Sequence, residues 1–277
     1  MKRIGIIGFG YVGSAVANGF KHYGHEIHIF DIDKKKLEMA KKEGYIVHKT
    51  LGELVNNTDI IFVCVPTPPK EDGSCDTSIV ENVVEKIAEA AKEEKIVVIK
   101  STVIIGTTDK IIDKVSKVND KIKVIFNPEF LRAKSAKEDF LNPDRIVIGG
   151  YDKKAIETVE ELYKPFNKPI IITDSKTAEM IKYASNAFLA TKVSFANQIK
   201  IICDKLGIDA KKVMDVVTMD HRINPSHLDP TKGPFGGVCL PKDLDALIKK
   251  TEEIGVENSL LKAVKEINEK TRENNEA

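Results

Sequence analysis

Residues 3–13 read RIGIIGFGYVG, and this stretch decides the fold of the first part of the chain. The apolar run Arg3–Ile7 predicts a short β-strand, and the pattern of Val12–Tyr23 predicts a helix. Between them stand three glycines with the spacing GxGxxG, namely Gly8, Gly10 and Gly13. A glycine-rich turn between a strand and a helix is typical of a dinucleotide-binding site.

Each glycine of this turn has its own predicted role. Gly8 allows the tight turn, Gly10 lets the backbone approach a pyrophosphate, and Gly13 lets the helix pack closely on the strand. The helix N-terminus at Tyr11 and Val12 is expected to face the phosphates. The turn therefore predicts that a dinucleotide binds at the end of the first strand.

Asp31 lies 21 residues after Gly10 and directly follows a second predicted strand, Glu26–Phe30. A carboxylate at this place can accept hydrogen bonds from the adenosine ribose hydroxyls, and it would repel a 2′-phosphate. The cofactor is therefore predicted to be NAD rather than NADP. Lys36, one turn into the next helix, is placed either to approach the ribose or to be solvated.

Apolar runs and helical patterns alternate along the first two thirds of the chain. The apolar runs predict strands at Arg3–Ile7, Glu26–Phe30, Ile60–Val65, Ile96–Lys100, Lys123–Phe126, Arg145–Ile148 and Ile170–Thr173. Helical patterns lie between most of them, for example at Val12–Tyr23, Lys34–Lys42 and Ile79–Glu93. Continuous apolar strands that alternate with helices predict a Rossmann-like, doubly wound parallel sheet covered on both faces.

After Asp174 the strand pattern ends and helical patterns continue. Helices are predicted at 176–207, at 209–217 and from Asp243 onward, with a loop rich in Pro and Gly at 224–237. We therefore predict an NAD-binding domain at 1–175 and an all-helical domain at 176–277. The helix at 176–207 is apolar well beyond one face, which predicts that it forms a homodimer interface.

The composition excludes several classes of partner. Lys and Arg total 43 against 42 Asp and Glu, a net charge of +1, so no nucleic-acid surface is predicted. No segment has the roughly 18 apolar residues of a membrane span, and the N-terminus does not read as a signal peptide. We predict a cytoplasmic protein that binds neither membrane nor nucleic acid.

The four cysteines have no spacing typical of a metal site, so no metal is predicted, and a reducing compartment argues against disulfides. Cys64 and Cys203 lie in apolar patterns that are typical of buried, inert thiols. Cys239 differs because it follows the glycine-rich stretch FGGV just before a predicted helix. Backbone amides at such a place can stabilise a thiolate, although a single cysteine is more often inert.

Seven phrases, the glycine-rich turn among them, carry a family resemblance. They are GFGYVG at 8–13, VCVPTP at 63–68, STVIIGTT at 101–108, NPEFLR at 127–132, NPDRIVIGG at 142–150, AEMIKYASNAFLATKVSFANQ at 178–198 and FGGVCLPKD at 235–243. In this order they resemble the UDP-glucose/GDP-mannose dehydrogenase family over nearly the whole chain. The resemblance implies an NAD-dependent oxidation of a nucleotide-sugar C6 alcohol to a carboxylate. UDP-glucose is the first expected substrate, with GDP-mannose and UDP-N-acetylmannosamine as alternatives.

The resemblance also implies the catalytic residues. Cys239 would be the nucleophile that forms a thiohemiacetal and then a thioester with the oxidised C6 carbon. Lys182 and Asn186, four residues apart on one helix face, would stabilise the developing oxyanion. Asp243 would orient water and the lysine, and Glu129 would be the base for thioester hydrolysis.

Further positions are implied to bind cofactor or substrate. Thr102 would lie near the reacting hydroxyl and the nicotinamide, and Thr67 would lie near the cofactor. The residues implied to bind the nucleotide sugar are Glu129, Phe130, Leu131, Lys182, Asn186, Arg222, Phe235, Gly236 and Gly237. Of these, Arg222 in DHRIN resembles an arginine that reaches a neighbouring subunit's site, although its spacing to Cys239 differs slightly.

Three departures from the family pattern qualify these roles. Ala133 stands where a second glutamate is usual, and Pro234 stands where a glycine is common, which removes a backbone donor. Family members also continue into another α/β domain that holds much of the nucleotide, and this third domain is predicted to be absent here. The chain is then a natural short form, a truncated form or one member of a split pair with a separate partner that carries that domain.

Two other functions remain open. The chain could be an NAD-binding dimerisation module with little or no activity alone, which would bind NAD but no UDP-sugar. It could also be a two-domain dehydrogenase of the β-hydroxyacid type, which also joins a Rossmann domain to helices. That type does not need a nucleophilic cysteine in FGGVC, so it ranks last.

Overall fold

A computed structural model describes residues 1–276 of the chain. The described residues divide into two compact units. The first unit comprises Met1–Pro68 and Asp76–Lys182, and the second comprises Pro69–Cys75 and the chain from Tyr183 onward.

The first unit is built on a β-sheet that has eight strands within residues 1–276. The strands are β1 (Arg3–Ile7), β2 (Glu26–Phe30), β3 (Ile46–Val47), β4 (Ile60–Val63), β5 (Lys95–Ile99), β6 (Ile122–Phe126), β7 (Ile146–Gly149) and β8 (Ile170–Thr173). Their spatial order is β3-β2-β1-β4-β5-β6-β7-β8. The Rossmann-like, doubly wound sheet predicted from the sequence is confirmed. One pairing differs, because β7 runs antiparallel to β6 at Gly149 and Phe126, whereas the pairing of β7 with β8 is parallel.

Helices cover both faces of this sheet. They are α1 (Tyr11–His22), α2 (Lys34–Lys42), α3 (Leu51–Asn57), α4 (Ser78–Ala90), α5 (Thr107–Val118), α6 (Ala136–Leu141), α7 (Lys153–Tyr163) and the first turns of α8 (Ser175–Leu206). Strand β4 shows why its sequence is apolar throughout. Ile60 and Phe62 belong to the core on one face, and Ile61 and Val63 belong to the core on the other. A strand that is buried on both faces has no position for a polar side chain.

The second unit is helical. It contains the rest of α8, then α9 (Ala210–Val217), α10 (Cys239–Glu253) and α11 (Ser259–Glu276). The segment between α9 and α10 has neither helix nor strand, which agrees with the predicted loop. The predicted start of α10 at Asp243 is wrong, because the helix begins at Cys239. Pro241 lies in its first turn, where a missing N–H leaves no intrahelical hydrogen bond unmade.

Glu179 fixes the beginning of α8 in the first unit. It is fully buried, and its carboxylate accepts hydrogen bonds from the backbone N–H groups of Gly106 (2.6 Å) and Thr108 (2.8 Å). These are N-terminal amides of α5, which have no carbonyl partner inside that helix. Glu179 therefore joins α8 to the loop that connects β5 and α5.

Replacing Glu179 with alanine should lower the free energy of unfolding by about 1–3 kcal/mol, because buried amides lose their acceptor. Urea unfolding would measure the change. Asp204→Ala is a matched control on the same helix, since Asp204 forms an exposed pair with Lys200. That control should cost less than about 1 kcal/mol. Equal losses in the two variants would contradict the capping role.

Candidate functional site

The turn after β1 has no room for a side chain at Gly8 or Gly13. Gly8 has φ = +92°, and a Cβ on it would lie 2.5 Å from the carbonyl oxygen of Cys64. A Cβ on Gly13 would lie 1.9 Å from the carbonyl oxygen of Gly8. The backbone of the turn and the first turn of α1 are therefore in direct contact, as the sequence predicts.

The start of α1 fits a bound diphosphate. Gly10 is the N-cap residue and has no side chain that could cap the helix, and nothing lies within 4 Å of the position of its missing Cβ. Tyr11 begins the helix and is exposed, whereas Val12 packs against the core. First-turn amides lack intrahelical partners and carry the positive end of the helix dipole. Open space beside such amides accommodates a phosphate group.

Asp31 is held in place at the end of β2. Its Oδ2 accepts a hydrogen bond from the backbone N–H of Phe9 (2.7 Å), and its Oδ1 accepts one from that of Asp33 (2.8 Å). A carboxylate has about four acceptor positions, so each oxygen can still accept a ribose hydroxyl. Lys36 Nζ lies 3.5 Å from Asp31 Oδ2, so this lysine pairs with the carboxylate.

Ile32 was not singled out from the sequence. It is 93% exposed beside Asp31, although it is a large apolar residue. An exposed isoleucine at the edge of a nucleotide site offers a flat apolar contact for a base. The only signal in the sequence is an isoleucine between two aspartates, which is weak.

Two predicted cofactor residues follow neighbouring parallel strands. Thr67 is buried just beyond β4, and Thr102 is partly buried just beyond β5. The hydroxyl of Ser101 donates to the carbonyl oxygen of Val65 (2.7 Å), which joins the two strand ends. In open α/β sheets, ligands bind outside the carboxyl ends of the strands, where both threonines lie.

A buried ion pair joins two of the predicted catalytic residues. Lys182 Nζ lies 3.2 Å from Glu129 Oε1, and their side chains are only 4% and 6% exposed. The other carboxylate oxygen, Oε2, accepts from the backbone N–H of Leu131. Two cations lie near the Phe130 ring, with the Arg145 guanidinium 4.0 Å and Lys182 Nζ 5.5 Å from its centroid. All five residues belong to the first unit.

A second buried polar cluster lies in the helical unit. Asn186 Nδ2 donates to Asp243 Oδ2 (2.6 Å), and Lys242 Nζ donates to Asp243 Oδ1 (2.6 Å). Cys239 is the first residue of α10 and is partly buried, and Asp243 lies one turn further along the same helix face. Lys242 was not singled out from the sequence, although its place three residues after Cys239 puts it near the same face of the helix.

The loop before Cys239 is anchored by α11. Phe235 is buried, and its backbone N–H and C=O bond to Asn268 Oδ1 (2.8 Å) and Nδ2 (3.1 Å). Gly236 and Gly237 are exposed, and nothing lies within 4 Å of the positions of their missing Cβ atoms. Of the predicted substrate residues here, the two glycines are therefore accessible, and Phe235 holds the loop. Pro234, where the family pattern favours glycine, directly precedes this anchor.

Two other residues of interest lie on the surface. Arg222 is exposed and forms a charged hydrogen bond with Asp220 (Nη2 to Oδ2, 2.5 Å). Ala133 is exposed at the start of the short 3₁₀ helix Ala133–Ser135.

In the part of the chain that the structure describes, no three His, Cys, Asp or Glu side chains are close enough to hold a metal ion. No helix in residues 1–276 is long and apolar enough to cross a membrane. The four cysteines form no disulfide within these residues.

Two family models match the chain in sequence. Residues 2–167 match the NAD binding domain of the UDP-glucose/GDP-mannose dehydrogenase family, and residues 176–270 match its central domain. The chain belongs to this family. The resemblance stated from the motifs is thereby confirmed, and the first part of the chain is an NAD-binding domain of this family.

Individual relatives agree with this placement. UDP-glucose 6-dehydrogenase TuaD of Bacillus subtilis is 39% identical over 295 residues, which cover 98% of this chain and 64% of TuaD. GDP-mannose 6-dehydrogenase of Pseudomonas aeruginosa is 35% identical and covers 94% of this chain, which spans 66% of that enzyme. The solved structure of a UDP-glucose dehydrogenase from Pyrobaculum islandicum superposes with a TM-score of 0.90 at 34% identity, over 97% of this chain and 68% of that one. The chain thus spans about two thirds of the length of these proteins.

Gly13→Ala should weaken NAD binding at least about tenfold, or about 1.4 kcal/mol, because the new methyl group would displace α1 from the turn. Calorimetric titration with NAD would measure the affinity. Gly52→Ala is the control, since a Cβ there meets only the Cβ of Ala90 at 4.0 Å. Unchanged NAD affinity in folded Gly13→Ala protein would refute the assigned site.

Proposed function

We propose that the chain is an NAD-dependent nucleotide-sugar 6-dehydrogenase that converts UDP-glucose to UDP-glucuronate through a thioester on Cys239. The observation that carries the proposal is the buried cluster of Asn186, Lys242 and Asp243, which lies within one turn of the thiol on α10. Burying charged groups costs free energy even when they are paired, and such groups are frequent at active sites, so their position beside a cysteine supports a catalytic role.

The residues of the first unit fit the cofactor. The open helix start at Gly10 would hold the diphosphate, Asp31 would accept the ribose hydroxyls, and the exposed Ile32 would contact the adenine. NAD supplies the hydride acceptor for both oxidations when it is bound. Thr67 and Thr102, beyond two neighbouring strands, would border its nicotinamide end.

In this proposal Cys239 retains the partly oxidised substrate. The C6 alcohol loses a hydride and a proton to give an aldehyde, and the thiolate then adds to the aldehyde carbon. Loss of a second hydride leaves a thioester, and water then releases the carboxylate and restores the thiol.

The ion pair of Lys182 and Glu129 supports charge and proton movement. The ammonium has three N–H donors, and one of them is used by Glu129, so the others can stabilise a developing oxyanion. Glu129 would accept the proton of the water that attacks the thioester. Asp243 would orient the amide of Asn186, which adds a neutral donor to the oxyanion.

The substrate is assigned by family and by the loop before α10. Exposed backbone at Gly236 and Gly237 suits close approach of a sugar or a phosphate group. Relatives named as UDP-glucose and as GDP-mannose enzymes both match the chain, and UDP-N-acetylmannosamine remains a third candidate. Arg222 would serve a neighbouring subunit's site only after its pair with Asp220 opens.

The cytoplasmic location, and a separate partner that carries a further nucleotide-binding domain, stay predictions.

Cys239→Ser should abolish acid formation and lower NADH production from UDP-glucose by at least about a thousandfold, because serine cannot form the thioester. NADH absorbance would measure the rate of NADH production, and chromatography of the sugar product would measure acid formation. Cys203→Ser, at a buried cysteine of α8, is the control and should keep activity. If wild-type protein binds NAD but neither binds nor oxidises any UDP- or GDP-sugar, the chain is instead an NAD-binding module.

We also propose a homodimer through α8. Phe188, Phe195 and Ile202 are exposed and recur every seven residues, so they form one apolar stripe on the helix. Such a stripe on a helix is typical of a self-association surface.

Replacing both Phe188 and Phe195 with glutamate should convert a dimer to a monomer at micromolar concentration, because paired charges would face each other across the two-fold axis. Sedimentation equilibrium would measure the mass. Met219→Glu, at an exposed residue outside α8, should leave the dimer intact. Wild-type protein that sediments as a monomer would contradict the proposal.

A further inference from the structure

Lys100 is a buried lysine to which none of the steps above gives a role. It follows β5 directly and is only 4% exposed. Its Nζ donates to the side-chain oxygen of Asn127 (3.1 Å) and to the carbonyl oxygen of Pro128 (3.2 Å). Both acceptors are neutral, one a side-chain amide oxygen and the other a peptide carbonyl. A lysine side chain is rarely buried, and its amine needs acceptors where water is excluded, so this burial calls for a structural reason.

Asn127 is fixed from several sides. Its side-chain oxygen also accepts from the hydroxyl of Tyr163 (2.6 Å), and its Nδ2 donates to the carbonyl oxygen of Val147 (2.7 Å). Its backbone N–H donates to the carbonyl oxygen of Ile99 (2.9 Å). Lys100, after β5, and Tyr163, on α7, thus both donate to the side-chain amide of Asn127. The oxygen and the nitrogen of that amide are both hydrogen-bonded.

This amide lies two residues before Glu129. The residue between them is Pro128, whose ring restricts its own φ and whose carbonyl Lys100 holds. The direction of the backbone at Pro128 is therefore fixed. Glu129 is the next residue, and its carboxylate contacts Lys182 from this fixed backbone.

We infer that Lys100 is a positioning residue that, through Asn127 and Pro128, holds Glu129 against Lys182 for the hydrolysis of the thioester. The inference rests on the proposed function for the role of Glu129, but the positioning itself is a property of the fold. In that step water attacks the thioester carbon and gives one proton to Glu129. The C–S bond then breaks, the second proton of the water passes to the departing sulfur, and the thiol and the carboxylate are released.

The charge of Lys100 is not required for this role. Burial lowers its pKa to about 8, whereas Cys64 and Glu129 oppose the shift and Lys182 adds to it. The other titratable group near the network is Tyr163, whose pKa burial raises well above its usual value. A neutral amine still has two N–H donors, which are enough for Asn127 and Pro128. Positioning should therefore persist at pH 9 as at pH 7.

Lys100→Met tests the inference because it keeps an unbranched side chain only one atom shorter and removes the N–H donors to both acceptors. In its crystal structure Glu129 should leave hydrogen-bond distance of Lys182. In rapid-mixing experiments with UDP-glucose and NAD, the NADH burst should change less than about twofold, and steady-state turnover should fall at least about tenfold. Mass spectrometry should find the thioester accumulated on Cys239. NAD affinity should be unchanged.

Lys95→Met is the matched control. Lys95 is also buried, lies at the other end of β5 and donates to the carbonyl oxygen of Thr58 (2.8 Å). It should show neither the displaced glutamate nor the slow hydrolysis. The inference is overturned if Lys100→Met keeps the contact of Glu129 with Lys182, or if Lys95→Met slows the same step equally.

Two further results separate the inference from the proposed function. If wild-type protein oxidises no nucleotide sugar, the proposed function fails, and the crystal structures of Lys100→Met and Lys95→Met still decide the positioning. If Lys100→Met does not fold, Tyr163→Phe takes its place, because it removes one of the two donors to Asn127. That variant should slow thioester release about threefold, and a normal rate would overturn the inference.

Discussion

The buried contact of Lys182 with Glu129 is the interaction on which the rest of the candidate site depends. Each charge is almost inaccessible to water, so removal of either one would leave the other buried without a partner, which is strongly destabilising. The pair therefore fixes the segment after β6 relative to α8. Glu179, one turn earlier on α8, fixes the same helix to the loop after β5. Three segments that are distant in sequence are thus locked together at the carboxyl ends of the strands.

Other hydrogen-bonded polar groups are buried at the same edge of the sheet. The glycine turn after β1 keeps its backbone close to α1, and Asp31 bonds to the backbone of the same turn. Lys100 fixes the segment that carries Glu129. Each contact is a hydrogen bond to a buried group, and such bonds define a geometry more than they add stability. A hydride transfer needs this fixed geometry because reacting atoms must be held within a few tenths of an ångström.

The sequence predicted the parts of the fold that depend on local pattern. The bounds of β1, β2 and β8 agree with the structure, because each is a short apolar run between turn residues. The roles of Gly8 and Gly13 could be predicted because the GxGxxG spacing carries its own steric reason. Contacts across long separations could not be predicted. Glu179 bonds to Thr108 across 71 residues, and nothing local distinguishes it from a solvated glutamate. The antiparallel pairing of β7 with β6 and the contacts of Lys100 were not predicted for the same reason, because their partners are also distant in sequence.

The most direct test of the account is the stoichiometry of the reaction. Wild-type chain would be mixed with NAD and a limiting amount of UDP-glucose, GDP-mannose or UDP-N-acetylmannosamine, and NADH and sugar acid would be counted. The account predicts two NADH for each acid formed from one of these sugars, with no aldehyde released to a carbonyl trap. One NADH for each sugar with aldehyde in the trap, or no NADH from any of the three, would contradict it.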